Sequence, residues 1–297
     1  MVGYDRILVP VDGSDSAYNA AVHGLGVAGA TGAAVHAIHV VDRRRRRSHL
    51  LGGEGHAAIL REHGRKLLGD VERLAAEAGC DVETAVVEGA PHEAILATAA
   101  ERDADLVVMG RRGEATVGQR LLGGVTDKVL RAGALPVLSV LADRGGEPCD
   151  VGYERVLVPT DGSDCAERAA AHGAALADLA GAAVHVVSVA DTRSSGGTLD
   201  AAGQSEAFAA SVEERSEEAI ERLAAEIRGG TDRPVETELL RGTPNEALRS
   251  YVDEADVDAV VMGAHGRSGL SRWMIGSVTE RLLRTVDVTI LVVPGVE

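Results

Sequence analysis

Three glycines and a serine carry the clearest chemical signal in this chain. From Gly263 to Ser277 it reads GAHGRSGLSRWMIGS, so the bends at Gly263 and Gly266 are separated from the one at Gly276 by a nine-residue loop. The stretch follows an apolar run, Val257–Met262, with the pattern of a buried strand, and Ser277 stands at a predicted helix start. A strand that passes through a glycine-bearing loop into a helix N-terminus suits a phosphate, because free N–H groups and the helix dipole converge there. The spacing recurs at Gly110, Gly113 and Gly123, but Gly124 occupies the position of the serine. The chain therefore carries two candidate anion sites of unequal completeness.

The elements that must position these loops are also written twice. Tyr4–Asp15 reads YDRILVPVDGSD and Tyr153–Asp164 reads YERVLVPTDGSD. The offset continues through His23/His172 and Asp42/Asp191, then lengthens slightly to pair Gly89/Gly242, Glu93/Glu246, Asp105/Asp258 and Met109/Met262. This is a tandem duplication, with domains expected at 1–143 and 152–297 and a joint in the Gly-, Pro- and charge-rich stretch around Ala142–Val151. In the first repeat, apolar runs at 7–9, 35–41, 82–87, 106–109 and 136–141 read as strands buried on both faces. Ala-rich segments near 15–28, 56–78, 91–102 and 124–132 have helical periodicity. The expected fold is α/β: two tandem doubly wound domains, each a five-stranded parallel sheet with helices on both faces. Right-handed crossovers put the crevice at the carboxyl ends of the strands, where the winding switches. Strand one is expected to end at Asp12 or Asp161 and strand four at Gly110 or Gly263, facing each other across it.

Composition narrows the partners. A net charge of −16 disfavours nucleic acid and anionic membranes, and one Trp, one Phe and four Tyr leave little aromatic surface for stacking bases. The N-terminal stretch lacks an apolar signal core and no run approaches a membrane span, so the expected location is the cytoplasm. Cys80, Cys149 and Cys165 have no metal-type spacing, and no metal site is expected.

The V-P-x-D-G-S opening, the G-x-P-x-E segment (Gly89–Glu93 and Gly242–Glu246) and the G-x2-G-x9-G-S loop resemble universal stress protein domains in tandem, over almost the whole chain. In the nucleotide-binding branch of that family, the Asp after strand one and a backbone group ending strand two hold adenosine, and the glycine loop holds the phosphates. The resemblance thus implies ATP or another adenine nucleotide, with room for magnesium at its phosphates. Carried onto the second repeat, it implies Pro159, Thr160, Asp161 and Val189 at the base and ribose. Met262, Gly263, His265 and Gly266 lead from there to phosphate positions Gly276, Ser277, Val278 and Thr279. In the first repeat the weaker equivalents are Pro10, Val11, Asp12, Val40, Met109, Gly110, Arg112, Gly113, Gly123, Gly124, Val125 and Thr126. There Gly124 removes a hydroxyl, and Arg111 or Arg112 is a substitute source of charge. For Asp161 alone, a turn or cap residue is an equally good reading, since D-G-S is common turn chemistry. The family further implies pairing through the last strands, Leu135–Leu141 and Val288–Val293, as an intrachain pseudo-dimer. Homodimerisation of whole chains stays open.

Other patterns carry less. Gly24, Gly26 and Gly29 spell G-x-G-x-x-G, but inside helical periodicity rather than directly after a strand, which fits close helix packing better than dinucleotide binding. Neither a G-x4-G-K-[ST] loop nor a G-x-S-x-G elbow is present. Arg43–Arg47 read as a solvated run. With no dedicated base or lysine at the loop, no residue is assigned a catalytic role. The expected function is nucleotide-dependent conformation in stress response or signalling, with at most slow hydrolysis. The alternatives are an interaction scaffold without nucleotide and, with less support, an enzyme of adenylate chemistry.

Overall fold

The computed structural model describes residues 2–42, 54–111, 122–141, 152–191, 202–266 and 275–295, with the side chains of 54–56 and 202–206 excepted. The chain divides into two compact units, Gly3–Gly152 and Tyr153–Glu297.

The N-terminal unit runs β1 (Arg6–Pro10), α1 (Asp15–Thr31), β2 (Ala34–Val41), α2 (Glu54–Ala78), β3 (Val82–Glu88), α3 (Pro91–Glu101), β4 (Leu106–Gly110), α4 (Gly124–Ala132) and β5 (Val137–Val140). Its strands lie in the order β3-β2-β1-β4-β5, and every pairing in it is parallel. The C-terminal unit repeats this with β6 (Arg155–Pro159), α5 (Asp164–Ala180), β7 (Ala183–Ala190), α6 (Ala202–Gly230), β8 (Val235–Arg241), α7 (Pro244–Glu254), β9 (Ala259–Gly263), α8 (Ser277–Thr285) and β10 (Thr289–Val293). Here too the order β8-β7-β6-β9-β10 is parallel throughout. In each unit the first two helices pack on one face and the last two on the other. The winding therefore reverses between β1 and β4, and between β6 and β9, which opens a crevice at their carboxyl ends.

The strands form where the aliphatic runs predicted them. Ile7, Leu8 and Val9, and likewise Val156, Leu157 and Val158, are wholly buried. A residue covered on both faces can afford no polar side chain without a partner, so these central strands read as unbroken apolar runs. Strand one stops short of the aspartates expected to end it: β1 ends at Pro10 and β6 at Pro159, and Asp12 and Asp161 lie beyond them in turns. In those turns Gly13 (φ +90°) and Gly162 (φ +74°) take left-handed conformations that favour glycine. The following serines cap the helices, Ser14 accepting from Ala17 N and Ser163 from Ala166 N.

Two duplicated features are structural. Asp105 Oδ2 accepts from the backbone N–H groups of Asp5 and Arg6 at 2.7 and 3.2 Å, and Asp258 Oδ2 accepts from Glu154 and Arg155 at 2.8 and 3.0 Å. Each carboxylate thus pins the entry to strand one. The G-x-P-x-E segments are helix starts: Pro91 and Pro244 lead α3 and α7, and Thr243 Oγ1 donates to Glu246 Oε2 at 2.7 Å. The G-x-G-x-x-G pattern is a packing feature, since a Cβ on Gly24 would fall 2.8 Å from Val9 Cγ2.

Burial holds His172 below the ordinary histidine value of 6.5. His185 is also lowered, first by burial, with Glu236 and Glu238 opposing and Arg155 reinforcing the shift. The unfolded chain therefore takes up these protons at higher pH than the folded one, so stability present above pH 6.5 is lost as the pH falls below it. Chemical denaturation at a series of pH values should show a falling midpoint below 6.5. His172→Gln should flatten that slope; an unchanged slope contradicts the assignment.

Candidate functional site

In the C-terminal unit the crevice is assembled by backbone closure. The N–H of Ala264, one residue past β9, donates to Val293 O at 2.8 Å, and the Ala264 carbonyl accepts from Gly276 N at 2.7 Å. These two bonds bring the end of the glycine loop back to its beginning and fix where α8 starts. The first helical bond then runs from Glu280 N to Gly276 O, and no side chain caps the terminus. The N–H groups of Ser277, Val278 and Thr279 therefore point out of the helix without intrahelical acceptors. Ser277 is exposed and Thr279 is buried.

The three loop glycines have different reasons to be glycine. A Cβ on Gly263 would lie 2.7 Å from Cys165 Sγ and 2.9 Å from its backbone, so this position is set by the first turn of α5 pressing on β9. On Gly266 it would lie 2.5 Å from Asp161 Oδ2. On Gly276 it would approach Ala264 O at 3.3 Å. Packing therefore explains Gly263, whereas Gly266 marks the place where the strand-one carboxylate meets the glycine loop.

Asp161 serves two ends. Its Oδ1 accepts from Ser163 N at 3.0 Å, the turn role that D-G-S chemistry allows, while Oδ2 faces Gly266. Pro159 and Thr160 are buried, and Thr160 N donates to Val187 O at 2.8 Å. Alternation along β7 turns the N–H and C=O of Val189 to the same side as those of Val187, beyond the end of β6 and into the crevice. Met262 is buried, leaving its side chain in the core. The Thr279 hydroxyl donates to Gly263 O at 2.9 Å, so only its N–H faces outward. Among the described residues His265 Nε2 is buried and has no hydrogen-bond partner.

The loop closure, the bond extending strand one and the threonine bond to the end of strand four recur in both halves, and so does the sequence behind them. The model of the universal stress protein family matches residues 3–140 and again 152–294. The chain belongs to the universal stress protein family. A universal stress protein of Mycobacterium tuberculosis is 30% identical over 237 residues, covering 78% of this chain and 77% of its own. One from Methanocaldococcus jannaschii is 36% identical over 143 residues, covering 46% of this chain and 82% of its own. The crystal structure of a universal stress protein from Archaeoglobus fulgidus shares the fold, with a TM-score of 0.71 at 21% identity over 98% of this chain and 97% of that one. Among the described residues no helix is long and apolar enough to cross a membrane.

The N-terminal half of this universal stress protein closes its loop identically: Arg111 N donates to Val140 O at 2.6 Å and Gly123 N to Arg111 O at 2.8 Å. Thr126 Oγ1 donates to Gly110 O at 2.8 Å. Val11 is buried and donates to Ile38 O, Val40 occupies the place of Val189, and Met109 is buried. Pro10, Val125 and Gly110 hold the same positions as Pro159, Val278 and Gly263. Two differences are chemical. Gly124 begins α4 without a hydroxyl, and both Ser14 N–H and hydroxyl donate to Asp12 Oδ1, at 3.0 and 2.6 Å.

Of the two arginines expected as sources of charge, only Arg111 is among the described residues, and it is turned inward. Arg111 cannot supply charge to a phosphate, because its side chain is only 1% exposed, with Nε 3.3 Å from Ser139 Oγ and Nη2 3.4 Å from Ser139 O. It replaces Ala264, whose backbone closes the loop and whose side chain turns into the core. Arg112, Gly113 and Arg43–Arg47 lie outside the described residues. Sequence reasoning also passed over Arg168, whose Nε donates to Pro294 O at 3.4 Å and which adjoins Gly295, itself next to His265. Its equivalent, Asn19, donates to Leu141 O at 3.1 Å, so a polar tie from helix one to the end of the last strand is a repeated signal.

The glycines can be told apart by experiment. Gly263→Ala must displace backbone and should lower the thermal midpoint, at a cost of about 1–3 kcal/mol. Gly266→Ala needs only the Asp161 carboxylate to move and should leave stability within about 0.5 kcal/mol. Equal destabilisation in calorimetry would contradict this division.

Proposed function

We propose that the C-terminal unit binds an adenine nucleotide, ATP foremost, and that occupancy selects one conformation for stress response or signalling. The observation that carries this reading is the approach of Asp161 Oδ2 to Gly266 beside the uncapped start of α8. A carboxylate suited to ribose hydroxyls and a run of outward N–H groups suited to phosphate then share one crevice. The residues fit such a ligand on two further counts. The buried, unpartnered His265 Nε2 leaves a hydrogen-bonding group at the loop unsatisfied, and Ser277 adds an exposed hydroxyl to the amides of Ser277, Val278 and Thr279. A helix terminus carries about half a positive charge, which favours phosphate without a lysine. Val189 offers its backbone to the base, in the manner of a strand extending past its neighbour. Magnesium would bind through the phosphates, since no group of three or more candidate side-chain ligands occurs among the described residues.

Hydrolysis in this reading is at most slow. Phosphoryl transfer needs a positioned nucleophile and compensation of developing charge, and His265 is the one acid–base side chain assigned to the loop. The N-terminal unit binds more weakly, because α4 offers amides without the Ser277 hydroxyl.

Acid extraction of the purified protein should release ATP or AMP, identified by mass spectrometry. In equilibrium dialysis, Ser277→Ala should weaken ATP binding about tenfold, the loss of one hydrogen bond to a charged group. Unaltered affinity would remove Ser277 from the site, and an empty extract with no ATP binding would favour the scaffold reading.

A further inference from the structure

The end strands of the two units, β3 and β8, are finished differently. Val184 N donates to Pro234 O at 2.8 Å and Gly242 N to Ala190 O at 3.3 Å. By alternation, residues 234 to 242 of even number bond to β7, and Thr237 and Leu239 turn their N–H and C=O groups outward. The Val235 carbonyl is covered by Arg228 Nη2 at 3.2 Å. Among the described residues the outward backbone groups of Thr237 and Leu239 have no such cover.

Beside this edge lies a groove of about 400 Å³ between β8 and α7. Leu240, Ala247 and Tyr251 line it with apolar surface, Glu238, Glu246 and Glu254 ring it, and Arg241, itself bonded to Glu213, is the one base among its lining residues. From Thr243 to Glu254 it follows α7 for roughly 16 Å, at about 1.5 Å per residue. That length matches about five residues of extended chain.

The first repeat indicates what the groove lacks. There Glu83 on β3 is met by Arg102 Nη1 at 2.7 Å and His36 Nδ1 at 3.2 Å, and Glu88 by Arg61 Nε at 2.8 Å. In the second repeat the glutamate is retained as Glu236, but Ala255 replaces Arg102 and Glu238 replaces Ala85. Arg102 has no counterpart here, and the one base gained, Arg241 in the place of Glu88, is taken up by Glu213 at 2.7 and 3.1 Å, so Glu238 is added without a base of its own.

We propose that this edge docks an extended, arginine-bearing segment of a partner protein. The segment adds to β8 as a further strand through Thr237 and Leu239, and its alternate side chains enter the groove toward Glu238, Glu246 and Glu254. Backbone pairing supplies affinity and the pockets read the alternation. A guanidinium suits these carboxylates because it can engage both oxygens. The role is separate from the nucleotide crevice and does not depend on it.

The test uses the full chain and a fluorescent peptide in which arginine alternates with valine, followed by anisotropy. A peptide of the same composition with its arginines clustered serves as control. The alternating peptide should bind the native protein at least about tenfold more tightly than the clustered one does. Leu239→Pro removes an outward donor without breaking a bond to β7, and it should cost a similar factor, as should Glu238→Ala. Absence of binding, equal binding of the clustered peptide, or unchanged binding to Glu238→Ala would overturn the proposal. Circular dichroism checks that Leu239→Pro is folded; if it is not, Glu238→Ala decides.

Discussion

The bond from Gly276 N to Ala264 O, 2.7 Å long, determines what the crevice can do. Ala264 is itself held by Val293 O, so the end of β10 fixes the loop exit and the loop exit fixes the first turn of α8. Without that closure the amides of Ser277 to Thr279 would have no defined direction. The Thr279 hydroxyl reinforces it by donating to Gly263 O. A parallel sheet makes this geometry available, because every helix leaves the carboxyl edge with its N-terminus near the strand ends.

Much of the fold was legible because the central duplicated strands β1, β4, β6 and β9 are buried on both faces and are dominated by Val, Ile and Leu. A run such as Ile7–Val9 has no polar face to confuse its period, and the repeat doubled each signal. Strand ends were less legible: β1 and β6 stop at prolines, and the aspartates two residues further lie in turns. The parallel bonding runs one residue further, from Val11 N to Ile38 O and from Thr160 N to Val187 O, before the D-G-S turn begins.

The candidate site was legible as a set of positions and less so as a set of roles. Gly263 and Gly266 look alike in a motif, but one clears a helix and the other faces a carboxylate. Arg111 looks like a phosphate ligand because it stands in the glycine loop. Its own N–H and C=O are bonded to Val140 O and Gly123 N in a way that turns the side chain inward, where Ser139 receives it. Thr279 illustrates the same limit, since its hydroxyl belongs to the frame and its amide to the crevice. Side-chain direction after a strand end depends on long-range bonds that spacing cannot encode.

Duplication gives each unit an internal control for the other. The two halves share loop closure, turn capping and the strand-one clamp, so their differences at Ser277/Gly124, Ala264/Arg111 and Ala255/Arg102 are changes of chemistry on one frame. The complete nucleotide site is proposed for the C-terminal unit. Calorimetric titration of the intact chain with ATP, compared with Asp161→Ala and Asp12→Ala, tests it most directly. One dominant site per chain is expected, abolished by Asp161→Ala and preserved by Asp12→Ala. Two equal sites, or a dominant site lost with Asp12, would contradict it.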